Sequence, residues 1–443
     1  MSDPIAATAA AHTDLLRQKI SARTARVGVV GLGYVGLPLA VEFAKAGFSV
    51  TGVDLLESKV ARINAGDSYV QDVPPQDVFS LVEQGRLRAT TDFSAIAELD
   101  TINICVPTPL RKTKDPDMSH IVSACQQIAQ YFHPGMLSIL ESTTYPGTTE
   151  ELVLPMLSKS GMRVGVDFFL CFSPERVDPG NASFQTRNIP KVVGGVTPAC
   201  TEMGRLFYSQ ALETVIPVSS TQVAEMVKLL ENTFRMINIG LVNELAMMCD
   251  RMGIDIWEVI QAAATKPFGF MPFYPGPGLG GHCIPVDPFY LSWKTRQAGI
   301  EARFIELAGY VNGQMPHFVV EKIQNALNSQ RKALYGSRVH VIGVAYKRNI
   351  DDIRESPALD IIHLLKRRGG VVTYSDPYVP SIRIDDETIF ASDLADALPA
   401  VDCAVIITNH SDFDYQAIVR DAPMVVDTRN ALRGMSSEKI VRL

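Results

Sequence analysis

Residues 25–54 read ARVGVVGLGYVGLPLAVEFAKAGFSVTGVD, and no other stretch restricts the fold as tightly. A short β-branched run turns on glycines, helix-like apolar spacing follows, and a second run, Ser49 to Val53, ends at Asp54. Strand, turn, helix and strand within about 30 residues make a βαβ unit. Its crossover demands a parallel sheet covered by helices, because the two strands run the same way.

Further strands are expected at Thr101–Val106, Leu137–Leu140 and Val164–Phe172, with helical patterns between them. From Thr221 to Ala264 the pattern becomes helical, with Val223, Val227, Leu230, Phe234, Ile237 and Leu241 at three- and four-residue steps. A Pro/Gly-rich loop, 267–288, interrupts it, and helical character resumes over Leu291–Asn328. Near residue 336 a second βαβ pattern begins, running to Asp376, with later strands at Cys403–Ile407 and Met424–Val426. The expected fold is α/β, with two Rossmann-like doubly wound domains joined by a long central helix region. The divisions are an extension over 1–25, a first domain over 26–215, a helical middle over 216–325 and a second domain over 326–443.

Gly31, Gly33 and Gly36 form G-x-G-x-x-G directly after a strand and at the opening of a helix. Such glycines allow a tight turn, close approach of a pyrophosphate and close helix–strand packing. Asp54 follows Gly36 by 18 residues at the end of the second strand, where a carboxylate can hold a ribose 2′-hydroxyl. It would repel a 2′-phosphate, and Leu55 and Leu56 offer no cation for one, so NAD is expected rather than NADP. The second βαβ unit lacks this glycine pattern.

Net charge is −7, which gives no electrostatic reason to expect nucleic acid or an acidic membrane as a partner. Seven scattered cysteines without a CxxC pair are neither a disulfide framework nor a zinc ribbon, and they fit a reducing cytoplasm. No apolar run is long enough for a signal peptide or membrane span. No metal is expected, since His282 alone stands beside Cys283 and a site needs three or four ligands.

Lys228 and Asn232 lie one helical turn apart, an arrangement that most often marks a solvated face. Glu175 and Arg176 follow a strand, near where open α/β sheets take ligands. Cys283 in GPGLGGHCIPVDP reads equally as a buried structural thiol or as a nucleophile on a glycine-rich loop with room for a ligand. Asp287 lies four residues on.

Taken together, GLGYVGLPLA, VPTP, ESTTYPGTTE, SPERVDPGN, KLLENTFR, FYPGPGLGGHCIPVDP, GVAYKRNIDDIRESPA and VVDTRNAL resemble, in order, the UDP-glucose/GDP-mannose dehydrogenase family. The likeness runs from Arg26 to the C-terminus. It implies a cytoplasmic, NAD-dependent homodimer or dimer-based oligomer that oxidises a sugar C6 alcohol to a carboxylate in two hydride transfers. Cys283 then carries the thiohemiacetal and thioester, and Lys228 and Asn232 meet the developing oxyanion. Asp287 and Thr143 would serve the hydrolytic water, and Glu175 would act in acid/base catalysis of thioester hydrolysis. NAD is expected against Gly31, Leu32, Gly33, Tyr34, Val35, Gly36, Asp54, Lys59, Val106, Pro107, Thr108, Thr143 and Arg354. The nucleotide sugar is expected against Glu175, Arg176, Val177, Lys228, Asn232, Tyr274, Pro275, Gly276, Gly278, Gly280, Lys347 and Arg429.

Two departures bear on substrate. Pro179 replaces a second glutamate of UDP-glucose enzymes, and Pro267 stands where they carry an arginine that reaches the neighbouring subunit. The motifs are similar to the branch acting on UDP-N-acetylhexosamines for surface-polysaccharide and O-antigen synthesis. UDP-N-acetylglucosamine is the first expectation, followed by UDP-N-acetylgalactosamine, UDP-N-acetylmannosamine and UDP-glucose. A non-catalytic sensor on the same scaffold would have no use for the thiol.

Overall fold

The computed structural model describes residues 4–111, 115–158, 161–178, 181, 183–281 and 283–443, with side chains from residue 12 onward. His282 and Pro179 lie outside the described residues. Two compact units result, Met1–Glu231 with Trp293–Ala298, and Asn232–Ser292 with Gly299–Leu443.

The first unit carries strands β1 (Arg26–Val30), β2 (Ser49–Val53), β3 (Leu87–Thr90), β4 (Thr101–Ile104), β5 (Leu137–Leu140), β6 (Phe169–Phe172), β7 (Lys191–Gly195) and β8 (Val215–Val218). Its helices include α1 (Pro4–Ser21), α2 (Gly36–Lys45), α3 (Glu57–Asn64), α4 (Pro75–Glu83), α5 (Ser119–Tyr131), α6 (Leu154–Leu157) and α7 (Pro198–Tyr208). The sheet order is β3-β2-β1-β4-β5-β6-β7-β8. Strand side chains alternate between faces, so Val27 and Val29 enter one apolar cluster and Val30 the other, and both faces of the sheet are covered. The doubly wound expectation holds, with one addition. β7 runs antiparallel to β6, a reversal that the sequence pattern did not announce.

The extension also has structure. Helix α1 buries Leu16 and Ile20 in the first cluster, and Lys19 Nζ reaches Asp100 Oδ1 at 2.6 Å. The strand expected over Val164–Phe172 is shorter, because Gly165 at positive φ turns the chain before β6 begins.

Helix α8 spans Thr221–Met252 and α9 spans Ile256–Ala263, so the long helical stretch breaks at Gly253, which has φ +69°. Asp255 restarts it by accepting the Trp257 and Glu258 amides. α10 (Asp287–Gln297) and α11 (Arg303–Ser329) follow.

The second unit has a parallel five-stranded sheet, in the order β10-β9-β13-β14-β15. Its strands are β9 (Arg338–Ile342), β10 (Val371–Ser375), β13 (Cys403–Ile406), β14 (Val425–Asp427) and β15 (Ile440–Arg442), beside a hairpin of β11 (Ser381–Ile384) and β12 (Glu387–Phe390). Helix α12 (Pro357–Arg367) completes the second βαβ unit. The two halves share a device: Asp54 Oδ2 accepts the Leu32 amide at 2.8 Å, and Asp376 Oδ2 accepts the Val344 amide at 2.7 Å. In each, a carboxylate after the second strand fixes the loop after the first. Among the described residues no helix is long and apolar enough to cross a membrane.

Candidate functional site

In the first unit the residues assigned to the cofactor collect at one edge of the sheet. Gly31–Gly36 follow β1, Asp54 follows β2, Val106–Thr108 follow β4 and Thr143 follows β5. These are the carboxyl ends of four neighbouring strands, flanking the point where strand order reverses, which is where such sheets bind ligands.

The three glycines do different work. Gly31 has φ +91°, and a Cβ there would meet the Cys105 carbonyl oxygen at 2.5 Å. A Cβ on Gly36 would come within 1.8 Å of the Gly31 carbonyl oxygen, so helix and loop pack too closely for a side chain. A Cβ on Gly33 would meet nothing within 4 Å. That open space lies just before the N-terminus of α2, and it fits a pyrophosphate held by helix amides. Asp54 is anchored by Leu32 N and by Leu56 N at 3.0 Å, with Lys59 Nζ at 3.3 Å. Tyr34 is exposed, and Thr108 is buried. The set fits NAD.

Next along the edge is a buried charged cluster. Glu175 Oε1 accepts the amides of Arg176 and Val177, both at 2.7 Å. Its Oε2 faces Lys191 Nζ at 3.5 Å, and Lys191 in turn lies 2.6 Å from Glu141 Oε2. Tyr208 and Asn103 donate to Glu141 Oε1 at 2.6 and 2.5 Å. Burial works to raise the Glu175 carboxyl, but Lys191, the Val177 amide, Lys228 and the Arg176 amide prevail and hold it below the usual carboxylate range. Arg176 spans from the Pro190 carbonyl to Glu231, at 2.6 and 2.7 Å. Lys228 and Asn232, one turn apart on α8, are both buried, so the reading as a solvated face is overturned. The sequence did not single out Glu141, Lys191, Tyr208 or Asn103. The available signal was Glu141 at the head of ESTTYPGTTE, an acidic residue directly after the fully buried strand β5, in which only Ser138 is polar.

In the second unit Asn232 Nδ2 donates to Asp287 Oδ2 at 2.6 Å, and Asp287 is 3% exposed. Cys283 is half-buried, whereas the other six cysteines are buried. Its carbonyl accepts the amides of Val286 and Asp287 at 3.1 and 2.8 Å, so Cys283 sits in the turn that leads into α10. The structure thus brings Asn232, Cys283 and Asp287 into one unit.

The glycines before Cys283 serve packing within that unit, more than the open space the sequence suggested. A Cβ on Gly276 would meet Arg429 Nη1 at 2.6 Å, one on Gly278 Pro357 Cβ at 3.1 Å, and one on Gly280 Tyr346 Cβ at 2.6 Å. The Gly276 amide donates to Asn243 Oδ1 at 2.9 Å. Tyr274, beside Pro275, stacks on Trp257 with centroids 6.2 Å apart. Lys347 and Arg429 follow β9 and β14, again at the carboxyl edge of a parallel sheet. Burial pushes the Arg429 guanidinium down to about 10, with Asp427 pulling the other way, so an anionic ligand would be welcome there. Arg354 lies in this unit too, clamped to Asp352 at 2.6 Å. Among the described residues no group of three or more His, Cys, Asp and Glu could hold a metal ion.

A glycine-loop dinucleotide edge on one α/β sheet, and a cationic edge with a half-buried thiol in a second α/β unit, define a dinucleotide-dependent enzyme of nucleotide-bearing substrates. Residues 25–212, 222–314 and 340–434 match the NAD binding, central and UDP binding domains of the UDP-glucose/GDP-mannose dehydrogenase family, and the chain belongs to that family. It is therefore an NAD-dependent nucleotide-sugar dehydrogenase. It is 39% identical to a UDP-N-acetyl-D-glucosamine 6-dehydrogenase of Pseudomonas aeruginosa, over 80% of this chain and 83% of that protein. It is 36% identical to a UDP-N-acetyl-D-mannosamine dehydrogenase of Salmonella typhi, over 92% and 99%. The structure of a UDP-D-ManNAc dehydrogenase from Pyrococcus horikoshii superposes with TM-score 0.86 at 31% identity, covering 94% of this chain and 98% of that one.

Proposed function

We propose that the protein is a UDP-N-acetyl-D-glucosamine 6-dehydrogenase, making the uronic acid for surface-polysaccharide synthesis in the cytoplasm. The observation that carries the chemistry is the grouping of Cys283, Asn232 and Asp287 in one unit, a half-buried thiol one turn before a buried carboxylate. The choice of sugar is supported by the 39% identity to the N-acetylglucosamine enzyme. The mannosamine epimer is the second reading, supported by 36% identity over nearly the whole chain.

NAD, when bound, supplies the hydride acceptor, twice per sugar. Gly31–Gly36 and Asp54 would hold its pyrophosphate and ribose, with Lys59, Val106–Thr108, Thr143 and Arg354 around it. Oxidation of the C6 alcohol gives an aldehyde, and Cys283 Sγ adds to its carbon to form a thiohemiacetal. Loss of a second hydride leaves a thioester on Cys283. Water then breaks the C–S bond, releasing the carboxylate and the free thiol. Lys228 and Asn232 offset the negative charge on the C6 oxygen in each step. Asp287, held by Asn232, orients water together with Thr143, and the ionised Glu175 takes its proton. Lys347 and Arg429 would bind the UDP diphosphate, and Glu175–Val177 with Tyr274–Gly280 the sugar side.

A homodimer accompanies this reading. Leu230, Leu241, Met248 and Met252 leave an apolar stripe exposed along α8, of the kind a second copy covers.

NADH production from a panel of UDP-sugars tests the proposal. The expected result is two NADH per sugar, fastest with UDP-N-acetylglucosamine, and no uronate from Cys283→Ala. One NADH per sugar refutes the thioester route, and a faster epimer reassigns the substrate.

A further inference from the structure

Lys191 is a single buried cation shared unequally between two buried carboxylates. It opens β7, and its side chain is 6% exposed, against none for Glu141 and 13% for Glu175. The short contact, 2.6 Å, goes to Glu141, and the long one, 3.5 Å, to Glu175. Glu141 is itself pinned on its other oxygen by Tyr208 and Asn103. Glu175 has one oxygen fixed by two amides, which leaves Oε2 as the oxygen facing Lys191.

The charged and titratable groups of this cluster come from five elements. Lys191 on β7 and Lys228 on α8 act on Glu175 itself, Cys105 after β4 lies near both carboxylates, Glu141 after β5 holds Lys191, and Tyr208 on α7 meets Glu141. Arg176 is engaged by Glu231. Burial, and then Glu141, raise both the Cys105 thiol and the Tyr208 phenol, so neither carries charge near neutrality. Two carboxylates therefore stand against Lys191 and Lys228. Were Glu141 absent, Lys191 would be free to close on Glu175 as a tight pair, covering the oxygen that a water must reach.

We propose that Lys191 is a positioning residue of the reaction, tethered by Glu141 at the distance that orients the Glu175 carboxylate and keeps it an anion without capping it. The proposal rests on the reading of Glu175 as the base in thioester hydrolysis. Its signature is a pair of opposite shifts. In Lys191→Met the acid limb of the kcat–pH profile should rise by about one pH unit, because a supporting cation is lost. At pH 7 kcat should fall about tenfold, with KM for both substrates within about twofold, and a Cys283 acyl adduct should accumulate in quenched protein by mass spectrometry. Lys191→Arg should recover most of the rate. In Glu141→Gln the same limb should move to lower pH, since Lys191 then serves Glu175 alone.

A folded Lys191→Met with the wild-type limb overturns the proposal, as does Glu141→Gln moving the limb upward. Should Lys191→Met fail to fold, the direction of the Glu141→Gln shift decides. If Glu175→Gln turns over like the wild type, the reading of Glu175 fails, and this proposal with it. An impaired Glu175→Gln beside an unshifted Lys191→Met overturns only the role of Lys191.

Discussion

Substituting Gly33 and Gly36 by alanine, one at a time, separates the two jobs of the glycine loop. At Gly36 a methyl would lie 1.8 Å from the Gly31 carbonyl oxygen, more than about 1 Å inside ordinary contact. Gly31 cannot yield easily, because it is held at φ +91° against the Cys105 carbonyl and its own amide donates to Val53 O at 2.8 Å. The strain should reach the upper end of overpacking, about 3 kcal/mol. For a domain of this size that lowers Tm by roughly 6–12 °C. At Gly33 the methyl meets no protein atom within 4 Å, and φ is not positive, so stability should stay within about 0.5 kcal/mol of wild type. The same methyl fills the space assigned to the pyrophosphate. NAD affinity should fall at least about tenfold, or about 1.4 kcal/mol. Differential scanning fluorimetry reads the first quantity and isothermal titration with NAD the second. Wild-type NAD affinity in Gly33→Ala would refute the cradle, and a Tm loss matching that of Gly36→Ala would refute the division of labour.

Three further outcomes follow from other parts of the chain. His340 is buried between Thr373 and Ser375, and burial depresses its imidazole to about 4. The unfolded chain then binds the proton first, so stability present above pH 6.5 is lost as pH falls through 4, by about 3 kcal/mol. His340→Gln should flatten that part of a urea-melt series against pH, and an unchanged slope would contradict the assignment. Leu241→Asp, on the exposed stripe of α8, should convert a dimer to monomer by light scattering, and an unaltered mass would move the interface elsewhere. Trp257 Nε1 donates to the Leu443 carbonyl at 3.0 Å, so Trp257→Phe should cost about 1 kcal/mol beyond its packing loss in chemical denaturation.

What could be read from sequence was what depends on local order. Ser49–Val53 and Leu137–Leu140 appear as strands with the expected bounds, because each is a short apolar run closed by a polar or glycine-rich turn. Asp54 was legible as the residue that closes the second strand, but its hold on the Leu32 amide, some twenty residues back in the same βαβ unit, was not read from the sequence. The break in the long helix was less legible, since Gly253 and Asp255 interrupt apolar spacing that continues through them. The glycines around Cys283 misled. Composition says only that no side chain is present there, whereas Arg429, Pro357 and Tyr346, far away in sequence, are what fill the space. Lys228 misled in the opposite sense, because a lysine is normally solvated, and only tertiary structure removes this one from water.

The buried cluster around Lys191 is the case in which register alone creates chemistry. Strands β4, β5 and β6 run in parallel, so the residues following them, Cys105, Glu141 and Ser173 to Glu175, reach the same edge. A parallel β7 would deliver its last residue to that edge and carry Lys191 to the opposite side. Because β7 runs antiparallel to β6, its first residue arrives there. Cys171 pairs with Gly195 and Phe172 with Gly194, and continuing this register beyond the ladder sets Glu175 opposite Lys191. One reversal in an otherwise parallel run thus brings a lysine to the ligand edge beside two carboxylates. A one-residue slip would turn Lys191 to the other face and leave both acids buried without their cation. Breaking such a group by removing one partner costs about 3–5 kcal/mol, so the same lysine that orients Glu175 also holds β7 in register. Position and stability are then coupled at this residue, and Lys191→Arg, which keeps the charge, separates them from simple loss of packing.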